Sequence, residues 1–179
     1  PPFWASATRT QCLDFKAAAG SSHTCAIVSD AELKCWGYGY HGQLGYDSTD
    51  DKGDSAGEMA SLDSVDLGVG RTAVAVSAGG SHTCAVLDDG SARCWGRNNC
   101  GQLGNGGTAN IGDDASDMGS ALVLIDLGAG RTVLQIAAGQ EQTCAVLDDA
   151  SARCWGSGEH GHAGRRHRPL LGPQQVRPA

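Results

Sequence analysis

A thirteen-residue segment occurs three times in this chain of 179 residues, and it constrains the fold more than any other feature. The copies read CAIVSDAELKCWG from Cys25, CAVLDDGSARCWG from Cys84 and CAVLDDASARCWG from Cys144, with offsets of 59 and 60 residues. Ala-Gly precedes each copy, and a second match (HGQLG, CGQLG or HGHAG) follows it. A regular period of this length predicts a row of similar supersecondary units, each stacked on its neighbour.

The repeat divides the chain into three units with a segment at each end. We expect a lead-in at 1–16, repeat units within 17–164 and a basic tail at 165–179. The approximate unit boundaries are 17–70, 71–130 and 131–164. The tail holds four of the 13 basic residues and none of the 20 acidic ones. Such a composition at a chain end predicts a solvated terminus, with a small basic contact peptide as the alternative.

Within each unit the pattern is that of short antiparallel strands. In the second copy, β-compatible residues flank Asp-Asp-Gly, a hairpin turn signal, and pairing about Asp89 places Cys84 opposite Cys94. The segments at 71–79 and 131–139 predict one further strand each, and the 27 glycines supply frequent tight turns. The sequence therefore predicts an all-β fold of three blade-like sheets.

The paired cysteines are expected to close each hairpin with a disulfide. Residues directly opposite each other in antiparallel strands have Cβ atoms ~4.5–5.5 Å apart, close to disulfide reach. The expected bonds are Cys25–Cys35, Cys84–Cys94 and Cys144–Cys154. Zinc is the alternative, but zinc ligands usually come in pairs separated by roughly two to four residues. Disulfides would indicate an extracellular location or an oxidising lumen.

Cys12 and Cys100 have no equivalent in the other units, where His41 and His160 occupy the position of Cys100. They could pair with each other, bond a partner chain or remain as thiols. We favour mutual pairing because it would tie the lead-in to the second unit.

An acidic loop contains the two patterns closest to a chemical site. GDSAG at 53–57 matches a nucleophile motif centred on Ser55, but that motif needs a buried strand before it and a helix after it. We therefore expect no catalytic residue. The surrounding segment approaches a calcium loop, with candidate ligands Asp47, Asp51 and Glu58. A solvated acidic turn is the expectation, and weak calcium binding is the alternative.

The composition excludes several classes of function. The net charge of −7 disfavours binding to nucleic acid through phosphates. No apolar run of about eighteen residues exists, so we expect no membrane span. We find no phosphate loop, dinucleotide motif or zinc signature, and we expect no metal and no cofactor.

The segment AGGSHTCAVLDDGSARCWGRNNCGQLGNGG (78–107) resembles the repeat of the regulator of chromosome condensation family. The shared features are Ala-Gly, a His, a hairpin, Trp-Gly, Asn and Gly-Gln-Leu-Gly. The paired cysteines resemble those of secreted or lumenal members. Members fold as β-propellers, commonly of seven four-stranded blades, so three units imply a partial or open propeller. The resemblance also implies that His23 and His82 are structural and hydrogen-bond to backbone within their blades.

These features favour a non-enzymatic structural or protein-interaction module in an extracellular or lumenal assembly. We expect a protein partner, as part of a larger complex or as further blades supplied by other chains. The expected contact surfaces are the loops 46–58 and 105–117, which vary between units, and the basic tail. The alternatives are a guanine-nucleotide exchange factor-like regulator and a secreted inhibitor-like binder. The recurring Trp residues are expected to pack between blades.

Overall fold

Three antiparallel β-sheets follow one another along the chain in the computed structural model, which describes residues 16–28, 31–157 and 174–176. The first sheet contains β1 (Lys16–Ala19), β2 (His23–Ile27) and β3 (Leu33–Gly37). The second contains β4 (Ala73–Ala78), β5 (His82–Leu87) and β6 (Ala92–Gly96). The third contains β7 (Val133–Ala138), β8 (Gln142–Leu147), β9 (Ala152–Gly156) and β10 (Gln174–Val176). Two short 3-10 turns, Glu58–Ser61 and Gly119–Ala121, interrupt the connections between sheets.

Each sheet has the strand order expected of one sequence repeat. Its first three strands are consecutive and antiparallel, and the central hairpin has the register predicted from the sequence, with Cys84 facing Cys94 in the second sheet. Gly90 closes that hairpin turn at a positive φ of 79°. Ala150 occupies the equivalent place in the third sheet at φ 62°, a conformation that costs an alanine about 1–2 kcal/mol.

A fourth segment lies against the third strand of every sheet. In the first sheet the amide of Val65 donates to the carbonyl of Leu33 at 2.7 Å, and in the second the amide of Ile125 donates to Ala92 at 3.1 Å. In the third sheet β10 pairs antiparallel with β9. Residues 174–176 of the predicted basic tail therefore form the outer strand of the third sheet.

The hydrophobic core lies between successive sheets and is divided into two clusters. The first includes Leu33, Leu44, Leu87, Trp95 and Met118, contributed by the first two units. The second joins the second and third units in the same way. Because each sheet covers its neighbour, apolar burial at about 25 cal/mol per Å² stabilises the row and not the isolated unit. The described part of the chain is thus an open arc of three propeller blades.

Candidate interaction surface

A repeated hydrogen-bond network joins each blade to the next. The Nε2 atom of His23 lies 2.8 Å from the Oγ1 atom of Thr83 in the following blade. That hydroxyl donates to the backbone carbonyl of Gln43 at 2.8 Å, and the Nε1 of Trp95 donates to the same carbonyl at 3.1 Å. All four residues are buried. The first blade therefore contributes a histidine and a carbonyl, and the second contributes a threonine and a tryptophan.

The second seam has the same four components. His82 lies 2.9 Å from the hydroxyl of Thr143, which donates to the carbonyl of Gln102 at 2.8 Å. The Nε1 of Trp155 donates to that carbonyl at 2.9 Å. The expectation that the recurring tryptophans pack between blades holds at both seams, because Trp95 is 0% exposed and Trp155 is 9% exposed.

The hydrogen bonds of the network determine the tautomer of its histidines, and their burial determines the charge. Since the threonine hydroxyl donates its hydrogen to a carbonyl, it accepts a hydrogen from Nε2, and the Nδ1 atoms of His23 and His82 have no partner. Burial lowers the pKa of each histidine to about 4, so both rings are neutral near pH 7. The backbone bonds within a blade implied by the family resemblance are replaced by bonds to the next blade, because each ring lies at the seam.

A glycine makes room for each of these rings. A Cβ atom on Gly20 would lie 2.6 Å from the Cε1 atom of His23, which is too close for any side chain. Gly20 and its equivalent Gly79, which lies beside the ring of His82 in the same way, are therefore steric requirements of the two seams.

Disulfides link the two central strands of every blade. The bonded pairs are Cys25–Cys35, Cys84–Cys94 and Cys144–Cys154, with Cα atoms 4.0–4.1 Å apart. Cys100 lies outside these bonds, and its Sγ is 3.6 Å from the carboxylate of Glu141. Burial and the Glu141 charge raise the pKa of this thiol. Cys12 lies outside the described residues, so its pairing with Cys100 stays a prediction.

The candidate calcium ligands are each engaged by a backbone amide. The carboxylate of Asp47 accepts from the amide of Met118 at 2.9 Å, and that of Asp51 accepts from Gly39 at 2.8 Å. Glu58 accepts from Gly53 and Ser55, and these bonds lower its pKa. Within residues 16–28 and 31–157, no three His, Cys, Asp or Glu side chains are grouped so as to hold a metal ion. Weak calcium binding by this loop stays a prediction.

The nucleophile-like Ser55 lies on an exposed turn and donates to its neighbour Asp54 at 3.3 Å. None of its hydrogen bonds among the described residues is to a histidine, so the described residues do not form the triad geometry of a hydrolase around Ser55.

No helix in the described ranges has the length and apolar character needed to cross a bilayer.

The two variable loops are joined to each other. The amide of Ser48 donates to the carbonyl of Gly112 at 3.1 Å, and Asp47 bonds to Met118 as described above. We call the segments 47–58 and 112–117 the acidic rim. Together they carry eight carboxylates and one lysine, Lys52.

A pair of exposed tyrosines borders the acidic rim. Tyr38 and Tyr40 are 42% and 60% exposed, and their rings are stacked with centroids 6.2 Å apart. The ring of His41 meets Tyr40 edge-on at 5.1 Å. Our reading of the sequence did not single out these tyrosines, although GYGYHG holds two of the three tyrosines in the chain.

Comparison with known proteins identifies the repeat. The Regulator of chromosome condensation (RCC1) repeat matches residues 16–43 and 73–102. The Ultraviolet-B receptor UVR8 of Arabidopsis thaliana is 31% identical over 147 residues, covering 82% of this chain and 30% of that protein. The human E3 ubiquitin-protein ligase HERC2 is 29% identical over 153 residues, covering 84% of this chain but 3% of that ligase. The chain thus spans less than a third of the length of either relative.

Two solved structures share the fold. Yeast RCC1 (Prp20), solved bound to Kap60, superposes with a TM-score of 0.64 at 18% identity, covering 89% of this chain and 36% of that one. Human WBSCR16 superposes with a TM-score of 0.61 at 22% identity, covering 80% and 33%. The repeated sequence, the blade topology and these relatives agree. The chain therefore contains repeats of the regulator of chromosome condensation type and forms a run of propeller blades similar to those of that family.

Proposed function

We propose that this chain is a non-enzymatic protein-interaction module that acts within a larger assembly. The observation that carries the proposal is the contrast between a uniform frame and unequal loops. Both seams repeat the same three hydrogen bonds. By contrast, Tyr38 and Tyr40 in the first blade are replaced by Arg97 and Asn99 at the equivalent positions of the second. A rigid frame with loops that differ between units is the usual arrangement of a binding scaffold.

The first blade supports the idea that further blades complete the arc. Thr24 and Trp36 lie at the positions whose equivalents in the second and third blades bond to the preceding blade. The equivalent threonines, Thr83 and Thr143, are 0% exposed. In the first blade both residues are partly exposed. We propose that this face receives another blade of the same type, whose carbonyl and histidine would complete the bonds.

The setting proposed for the module is extracellular or lumenal. Three disulfides are compatible with an oxidising environment, since reducing compartments keep thiols unpaired. Alkylation with and without prior reduction tests this part. Six cysteines of protein purified from its native source should react only after reduction, and full reactivity without reduction would contradict it.

The interaction proposal is tested by isolating the chain from its native source together with what it binds. We expect a stoichiometric protein partner, and hydrogen exchange of the purified complex should show protection in 46–58 or 105–117 compared with the isolated chain. A chain that purifies alone under gentle conditions and shows no protected loop with any co-purified protein would overturn the proposal.

A further inference from the structure

We propose that the stacked pair Tyr38 and Tyr40, together with the acidic rim, binds a segment of a partner protein that is rich in Lys or Arg. This inference rests on the proposed function and names the surface and the chemistry of its partner. Aromatic rings attract cations through their faces, and carboxylates beside them add charge attraction and steer the approach of a basic segment.

The tyrosine pair carries the first step of the argument. Both rings are more than two-fifths exposed, whereas the third tyrosine, Tyr46, packs against the core and donates its hydroxyl to the carbonyl of Asp63 at 3.0 Å. Tyr38 and Tyr40 are the only aromatic side chains among the large exposed apolar residues of the described part of the chain. Exposed tyrosines grouped in this way are typical of the central contacts of protein interfaces.

The acidic rim lies directly beside the pair. Gly39, between the two tyrosines, donates its amide to the carboxylate of Asp51 at 2.8 Å. Gly37, which precedes Tyr38, exchanges two backbone hydrogen bonds with Lys52, at 2.7 and 3.0 Å. The backbone that carries the two tyrosines is therefore held at one edge of the rim.

The charge of the surface selects a cationic partner. The rim contains eight carboxylates and one lysine. The carboxylates of Asp50 and Asp114 accept no hydrogen bond from any described residue. Arg97 is close enough to His41 that its charge, after burial, lowers the pKa of that ring, and its guanidinium lies 3.8 Å from the carboxylate of Glu141. The excess negative charge is left for a ligand.

The test is fluorescence anisotropy of the full chain with two labelled twelve-residue probes, one of alternating Lys and Gly and one of alternating Glu and Gly. We expect the basic probe to bind, and we expect its affinity to fall as the salt concentration is raised. Tyr40→Leu, which keeps an apolar side chain but removes the ring, should weaken binding by roughly 3- to 20-fold, and Tyr40→Phe should keep it.

Charge variants separate this surface from general attraction to an acidic protein. Asp50→Asn with Asp114→Asn should weaken the basic probe several-fold. The control Glu32→Gln with Asp63→Asn removes the same charge from exposed residues outside the rim and should have a smaller effect. Equal effects of the two pairs, or unchanged binding in Tyr40→Leu, would overturn the inference.

The chain's own basic tail is the competing occupant. Replacement of Arg165, Arg166 and Arg168 by Ser should leave binding of the basic probe unchanged, and a several-fold gain would show that the tail fills the surface and would overturn the partner proposal. A native partner that protects another face in hydrogen exchange would leave the proposed function standing and remove only this inference.

Discussion

The substitution Thr83→Val tests whether the hydrogen bonds at the seam, and not apolar contact alone, hold the blades together. Valine has almost the same shape as threonine but lacks the hydroxyl. The substitution removes the acceptor of His23 Nε2 and the donor to the Gln43 carbonyl. The carbonyl keeps its bond from Trp95, whereas the imidazole N–H is left without a partner in a side chain that is 3% exposed.

The magnitude follows from that orphaned donor. An unsatisfied buried polar group costs about 1–3 kcal/mol, and the added methyl group offsets only a small part of it. We therefore expect Thr83→Val to lower the free energy of unfolding by about 2 kcal/mol. The matched control is Thr72→Val at an exposed site, which should change it by less than about 0.5 kcal/mol.

The assay is urea denaturation with the disulfides intact, followed by tryptophan fluorescence and by far-ultraviolet circular dichroism. The two probes should give coincident transitions if the three blades unfold together. A Thr83→Val protein as stable as Thr72→Val would refute the reasoning, since the seam bond would then contribute nothing. If the two transitions coincide in the unsubstituted protein but separate in Thr83→Val, the blades unfold independently at this seam, as the reasoning predicts.

Three further predictions concern acid, the disulfides and one hairpin turn. Because burial lowers the pKa of His23 and His82 from 6.5 to about 4, the unfolded chain binds more protons between these values. Stability should therefore be complete above about pH 6.5 and fall towards pH 4 by up to about 3 kcal/mol per histidine, and urea midpoints of a double Gln variant should depend less on pH. Replacing Cys84 and Cys94 by Ser should cost about 3 kcal/mol in the same denaturation assay, and no loss would contradict the chain-entropy account. Ala150→Gly should raise the thermal midpoint, with a gain of about 1 kcal/mol from relief of the left-handed backbone, and a lowered midpoint would argue against strain there.

Much of the blade was predictable from the chain because its determinants are local. The hairpin register follows from turn residues four to five positions from the cysteines, so the facing of Cys84 and Cys94 could be read directly. The period of the repeat likewise indicated stacked sheets, and a tryptophan at one offset in each unit indicated a packing residue. Both expectations need only neighbours along the strand or the next repeat.

The seam chemistry was not predictable in the same way. His23 meets Thr83 sixty residues further along the chain, and the contact depends on how one sheet is rotated against the next. The repeat shows that both residues recur but not which atoms meet. The pairing of β10 with β9 is another case, because three residues of a basic tail carry no strand pattern strong enough to specify a partner.

The candidate binding surface depended most on tertiary structure. Composition and periodicity determined the fold class, the hairpins and the acidity of the two loops, since these are properties of the residues themselves. Only the packing of adjacent blades placed Ser48 against Gly112 and so merged two loops into one rim. The same packing left Tyr38 and Tyr40 outside the core and beside the acidic rim. Exposure and proximity arise from how blades stack, and no single repeat contains that information.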